Sequence, residues 1–321
     1  MPSRTGRYIF AGTPPVRRTF RGGARTLPPV WLLAVLTLAD STRTFKVPLA
    51  PGESLAVATA GAGQSVVLIP GLFGSEFGFR QLVPLLDAAG YRTIVIEPLG
   101  IGSSTRPPRA DYSLTAQADR IAGVLDSLGE RQALIVAHSI GGSEAFRLAY
   151  RRPDLVRGMI SIEGGPTEAA VTPAFKRALK FAPWIKLFGG VKLVRRKIRS
   201  MLIASSGDTS WVTDDVVSGY TTGAARNLDA TLKAYLAMAN SREPGKLWPH
   251  LVDVRCPVRL IVGGEPHDGD VNPAEVRLLQ RTVRAFAVDS VPGAGHFVHE
   301  EQPQAVVAAL GRLEASLARR P

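Results

Sequence analysis

Hydrophobic positions fall into short continuous runs separated by helical patterns, and the alternation begins at Phe45. "FKVPLA" and "SLAVATAG" read as two short strands divided by the turn signal "PGE". "QSVVLIPG" (Gln64 to Gly71) is a continuous β-branched run, the pattern of a strand buried on both faces of a parallel sheet. Next come a helix in "FGFRQLVPLLDAAG" stopped by Gly90, a strand in "YRTIVIEPLG", an amphipathic helix in "SLTAQADRIAGVLDSLG" capped by Ser113, and a strand in "ALIVAHS". A helix from Ile140 follows, then strands in "VRGMISIEGG", "PVRLIVGG" and "FAVDSVPG", and a final helix in "PQAVVAALGRLEASLARR". Strands alternating with helices predict right-handed crossovers and a mostly parallel sheet covered on both faces, an α/β fold.

Between Pro166 and Asp253 the alternation stops, and about ninety residues read as helices and loops without a strand. An insertion of that size reads as a helical lid over the C-terminal edge of the sheet, where ligands of open α/β sheets bind. The expected organisation is a core of residues 45–165 and 253–321, a cap of 166–252 and a leader of 1–44.

Charge changes the picture mainly at the leader. Residues 1–39 hold six arginines and no acid, half of the net excess of +12. Their apolar run, Val30 to Ala39, is too short to span a bilayer and has the length of a signal-peptide core. "RRTF" (Arg17 to Phe20) resembles a twin-arginine export signal, but no small-x-small cleavage site follows. Two readings stay open: an exported or membrane-tethered protein, and a dispensable leader on a cytoplasmic one.

The 321 residues and the 45% hydrophobic, 21% charged composition suit one large α/β domain with an insertion, or two domains. The single cysteine, Cys256, rules out an intramolecular disulfide and a cysteine-rich metal site, and reads as a small core residue.

Candidate chemistry centres on "LIVAHSIGGSEAFRLAY" (Leu134 to Tyr150). A strand that ends at Ser139 and passes at once into a helix forces the serine into a strained turn, and Ala137 and Gly141 leave room for the backbone to cross there. The hydroxyl then projects above the sheet, and the helix N-terminus puts the Ile140 N–H where an oxyanion would form. A serine that merely caps a helix is the plain alternative, and it does not account for the small residues on both sides. Serine needs a base, and "VPGAGHFVHEEQP" offers His296, after a strand and a glycine-bearing loop. His299 is expected on the surface of the following turn, His138 packed and pointing away from Ser139, and His250 without an evident partner.

These features together resemble the α/β-hydrolase superfamily over Phe45 to Arg320. "LIPGLFGSEFGF" resembles its oxyanion loop, "IEPLGIGSS" its Asp-x-x-Gly-x-Gly-x-Ser turn with Glu97 in place of Asp, "AHSIGG" its nucleophile elbow, and "GAGHFVHEEQP" its histidine loop. The resemblance implies an α/β-hydrolase fold and a Ser-His-acid triad, with an oxyanion hole formed by the backbone N–H groups of Leu72 and Ile140. Pro70 stands where a histidine often precedes the oxyanion loop, and Ala137 replaces a glycine; neither change removes a donor or the nucleophile.

Two carboxylates compete for the third place. Asp268, in "VGGEPHDGDVNP", lies 28 residues before His296, which resembles the family spacing, but the family's Gly-x-x-Asp pattern puts His267 where the acid should be. Glu163 ends the strand "GMISIEGG" 24 residues beyond Ser139, which resembles the alternative acid position of haloalkane dehalogenases. A glutamate at the end of a buried strand before two glycines is hard to explain as a surface charge, so Glu163 is favoured and Asp268 retained.

Serine at the elbow excludes routes that need an aspartate nucleophile and leaves an acyl-serine route, with carboxylic ester hydrolysis the simplest. C–C bond hydrolysis, perhydrolysis and a non-catalytic ligand-binding role are the rivals. No metal-binding or phosphate-binding motif is present, so neither metal nor organic cofactor is expected. Phe73, Phe77 and Phe79 suggest an apolar acyl pocket. Phe175 to Leu202 holds nine basic residues and no acid; it reads first as a cap with an apolar underside and solvated cations, and second as a surface for peripheral membrane contact. Nucleic acid is not an expected partner, because the basic residues are interleaved with apolar ones and match no binding motif.

Overall fold

Strands whose neighbours in sequence are all apolar must bury both faces, and here they do so inside one eight-stranded sheet. A computed structural model describes residues 42–179 and 190–319. The strands β1 (Arg43–Ala50), β2 (Glu53–Ala60), β3 (Gln64–Ile69), β4 (Tyr91–Glu97), β5 (Ala133–His138), β6 (Val156–Ile162), β7 (Val258–Gly263) and β8 (Phe286–Val291) lie in the order β1-β2-β4-β3-β5-β6-β7-β8. β2 pairs antiparallel with both β1 and β4, and every pairing from β4 through β3 to β8 is parallel.

Side-chain alternation divides the core between the two faces. Val67, Ile69, Ile94, Ile96 and Ile135 face a layer with α2 (Leu114–Ser127) and α3 (Ile140–Arg151). Val66, Leu68, Val95 and Val136 face another layer, with α1 (Leu82–Ala88) and the last helix (Pro303–Ala318). Ser113 caps α2 as expected, its hydroxyl accepting the Ala116 N–H at 3.2 Å.

Three boundaries differ from the pattern. β1 begins at Arg43, inside the segment assigned to the leader, because Arg43 and Thr44 pair with Thr59 and Ala58. These are exposed residues on an edge strand, held by backbone pairing that leaves no hydrophobic signature. The helix in "FGFRQLVPLLDAAG" is a short 3₁₀ turn, Glu76–Phe79, followed by α1. Pro84 lacks the N–H that a longer helix would donate back to Arg80, so it must lie in the first turn. A further helix, Pro273–Thr282, was not legible; Asn272 caps it by accepting the Ala274 N–H at 2.8 Å. The rest of the leader, residues 1–41, lies outside the described residues, so the export reading does too. No helix among the described residues is long and apolar enough to cross a membrane.

Between β6 and β7 the described residues form helices and turns and no strand: α4 (Pro173–Leu179), α5 (Gly190–Ala204), α6 (Asp214–Tyr220), α7 (Thr222–Arg226), α8 (Leu228–Asn240) and a 3₁₀ turn at Trp248–Asp253. Both ends of this segment are tied to the core through Arg147 of α3, which is fully buried. Its guanidinium lies 2.9 Å from Glu168 and 3.3 Å from Glu243. Glu168 accepts the Leu247 N–H, and Glu243 accepts the Leu114 N–H, each at 2.7 Å. A buried cation with two carboxylate partners is tolerable only while both are in place.

Candidate active site

Ser139 sits at the abrupt passage from β5 to α3 with φ 53° and ψ −123°, a left-handed conformation that side chains rarely adopt. Its N–H donates to the Ile162 carbonyl at 2.8 Å, which pins the turn to the end of β6. The small residues have a measurable reason: a Cβ on Gly141 would lie 2.8 Å from the Ile69 oxygen and 2.9 Å from the Pro70 oxygen. On the other side, a Cβ on Gly71 would lie 3.1 Å from the Ser139 Cβ, so the loop before Leu72 packs on the elbow. Leu72 and Ile140 both line one small cavity, so these two residues lie near each other. Glu97, at the end of β4, accepts the Glu76 N–H at 2.8 Å and the Ser103 N–H at 2.5 Å, tying the oxyanion-loop side to its glycine-rich turn.

His296 follows β8, and its N–H donates to the Ser205 carbonyl at 2.7 Å. The turn at 205–208 is bolted to the histidine loop a second time through Glu301, whose carboxylate accepts the N–H groups of Gly207 and Asp208 at 2.8 Å each. His296 is half-buried, and its Nδ1 is shut off from solvent without a hydrogen-bond partner. Burial, then the neighbouring His138 and His267, pull its pKa well below the ordinary histidine value, and the Gly269 carbonyl pulls the other way. His296 is therefore neutral near pH 7, the state a general base requires.

His138 is buried as expected; its Nε2 lies 3.1 Å from the His296 carbonyl oxygen and its ring centroid 4.7 Å from that of His296. His299 corrects the expectation of a surface position. It is 2% exposed, its ring is 4.4 Å from His138 and 5.3 Å from Phe79, and burial drives its pKa down to about 3. The four-residue helix Val298–Glu301 is too short for its inward side to be read from periodicity. Phe79 is likewise a core residue, 1% exposed. His250 stacks on Tyr150 at 4.7 Å and lies 3.4 Å from Asp253.

The two candidate acids lie in opposite environments. Glu163 directly follows β6, is 4% exposed, and has φ 48°, a second left-handed non-glycine residue beside the first. Its Oε1 accepts the Gly263 N–H at 2.5 Å, and its Oε2 is buried without a partner. Burial raises its pKa, opposed by the Gly263 N–H and by His267. Asp268 is exposed in the loop after β7, and neither its carboxylate nor that of Glu163 makes a hydrogen bond or ion pair with His296. The residue that sequence reasoning passed over is His267, whose fully buried side chain stands between the two sites. Its Nε2 is 3.4 Å from Glu163 and 2.9 Å from Asp270, and its ring is 5.7 Å from that of His296. The one available signal was its place in the Gly-x-x-Asp pattern, where it displaced the expected acid.

A cavity of about 840 Å³ lies beside the loop that follows Leu72. Phe73 and Phe77 line it with Phe175, Ile198, Met201 and Tyr235, and Glu76, Glu97, Arg106 and Lys197 add polar groups to its wall. Ser139 and His296 do not line it. Helix α5 gives Leu193, Val194, Ile198 and Met201 to this wall while Lys192, Arg195 and Arg196 are exposed; residues 180–189 of the basic stretch lie outside the described residues.

A model of the alpha/beta hydrolase family matches residues 66–309. The chain is 26% identical over 252 residues to the sn-1-specific diacylglycerol lipase ABHD11 of Mus musculus, covering 75% of this chain and 77% of the relative. It is 28% identical over 260 residues to the 2-(acetamidomethylene)succinate hydrolase of Mesorhizobium japonicum, covering 80% and 90%. Among solved structures it is similar to the epoxide hydrolase CorEH, with a TM-score of 0.71 at 21% identity, over 86% of this chain and 99% of that one.

Proposed function

The chain belongs to the alpha/beta hydrolase family and is a hydrolase of that fold, and on this premise we propose that it cleaves carboxylic esters of an apolar acyl group through an acyl-serine intermediate. The observation that carries the reading is the left-handed Ser139 between a buried strand and a helix N-terminus, a geometry that stores strain in order to present a hydroxyl.

In this reading neutral His296 takes the proton of Ser139 Oγ as the oxygen attacks the ester carbonyl. The N–H groups of Ile140 and Leu72 hold the negative oxygen that develops. His296 then returns the proton to the departing alcohol, and a water activated by the same imidazole releases the acid. Glu163 is the third member, orienting Nδ1–H of His296 and stabilising the imidazolium once the two side chains, which make no hydrogen bond or ion pair here, meet; its burial at the end of β6 supports this role. Exposed Asp268 is left outside the reaction. The apolar cavity falls within the about 300–1,000 Å³ that holds drug-sized ligands, which supports an acyl group well above acetyl in length, admitted when the helical segment shifts as a lid. ABHD11 is by name a lipase, which agrees with an acyl ester.

The test is hydrolysis of p-nitrophenyl esters from acetyl to palmitoyl by the full chain. Ser139→Ala should reduce turnover to background, Glu163→Gln should lower kcat about 10²–10⁴-fold, and Asp268→Asn should leave it within about twofold. A wild-type chain that turns over no ester overturns the proposal, and turnover of a C–C substrate or capture of ligand without turnover then identifies the alternative.

A further inference from the structure

His267 has no part in the reaction above, yet its surroundings are unusual for a buried histidine. Its side chain is 0% exposed, and Nε2 makes no hydrogen bond. Nδ1 lies 3.3 Å from the Asp268 carbonyl oxygen, which can only accept, so Nδ1 is placed to donate. Nε2 faces Asp270 Oδ1 at 2.9 Å and Glu163 Oε1 at 3.4 Å. Two carboxylate oxygens turned on one ring nitrogen call for positive charge among them, supplied by a proton on Nε2 or by a metal cation in its place. Glu163 adds a buried, unpartnered Oε2 to the same place.

We propose that Glu163, His267 and Asp270 form a binding site for a divalent transition-metal cation of the Zn²⁺ class. The three donor atoms lie within 4.8 Å of one another. Tetrahedral zinc with bonds of about 2.0–2.1 Å separates adjacent ligands by about 3.3 Å, close to the two observed spacings. One imidazole and two carboxylates suit zinc and its neighbours; calcium requires six to eight oxygens. The Asp268 carbonyl is the outer partner that such an imidazole needs to fix its orientation. Asp270, 62% exposed, gives the ion a path from solvent and leaves room for a water ligand. Occupation neutralises Glu163 and withdraws it from His296, so the metal acts as a reversible inhibitor. This consequence rests on the reading of Glu163 as the triad acid.

The test is calorimetric titration of the untagged full chain with ZnCl₂ and, for comparison, MgCl₂, beside ester turnover at the same zinc concentrations. One Zn²⁺ per chain should bind and Mg²⁺ should not. Asp270→Asn, at an exposed position that tolerates the change, should weaken zinc at least about tenfold, and His267→Gln should abolish stoichiometric binding. Turnover should fall over the concentration range that fills the site and return on adding EDTA. Absence of stoichiometric zinc binding, or an affinity unchanged in both variants, overturns the site. Zinc that binds with the expected loss in both variants but leaves turnover intact upholds the site and overturns the assignment of Glu163 as the acid.

Discussion

Replacing Ser139 by glycine and, separately, by alanine isolates the strain at the elbow. At φ 53° and ψ −123° a residue with a Cβ costs about 1–3 kcal/mol. Ser139→Ala keeps that Cβ, and Ser139→Gly removes it. Glycine brings a freer unfolded chain, a cost of about 0.5–1 kcal/mol, so the glycine variant should be more stable than the alanine variant by about 1 kcal/mol. Neither variant has a hydroxyl, and the Ser139 side chain makes no capping hydrogen bond, so lost bonding does not enter the comparison. Urea unfolding should resolve the difference, and the melting temperature should rise by roughly 2 °C, while both variants fall to background esterase activity. A glycine variant no more stable than the alanine variant would mean that the turn is unstrained, and the argument for an exposed nucleophile would lose its foundation.

Gly141→Ala drives a methyl against two backbone oxygens, which should cost about 1–3 kcal/mol and lower kcat about 10²-fold or more by displacing the Ile140 N–H. Gly311→Ala, at an exposed position of the last helix with nothing near its added Cβ, should instead stabilise by about 0.5–1 kcal/mol; urea titrations of both variants check the contrast. Arg147→Met strands Glu243 in the interior and should cost about 3–5 kcal/mol by the same titration, and an unchanged midpoint would sink that account of the anchor. Glu144 is buried, and burial raises its pKa to about 8, with Arg147 opposing and Glu243 adding. The folded state then holds a proton that the unfolded chain has lost, so stability should fall by about 1.4 kcal/mol per unit between pH 4.5 and 8. Glu144→Gln should flatten that stretch of a stability profile, and an unaltered slope would assign the titration elsewhere.

What the sequence by itself determined is what local pattern can carry. Buried strands announce themselves because both faces must be apolar, as at Val66 to Ile69, and the elbow announces itself because the small residues around Ser139 are required by backbone crossing within a few positions. The place of His296 in a loop behind a strand was legible for the same reason. Tertiary structure decided everything that depends on which distant segments meet. Glu163 and Asp268 were both acids after strands, and only the sheet order buries one at 4% exposure and leaves the other in solvent. His299 looked like a surface residue until a four-residue helix turned it onto His138. His267, Ser205 and Arg147 acquire their partners across 104, 91 and 96 residues, from Glu163, His296 and Glu243. Hydrophobic periodicity reports which way a side chain faces; the charge, tautomer and proton affinity of a polar group depend on neighbours that only the folded chain supplies.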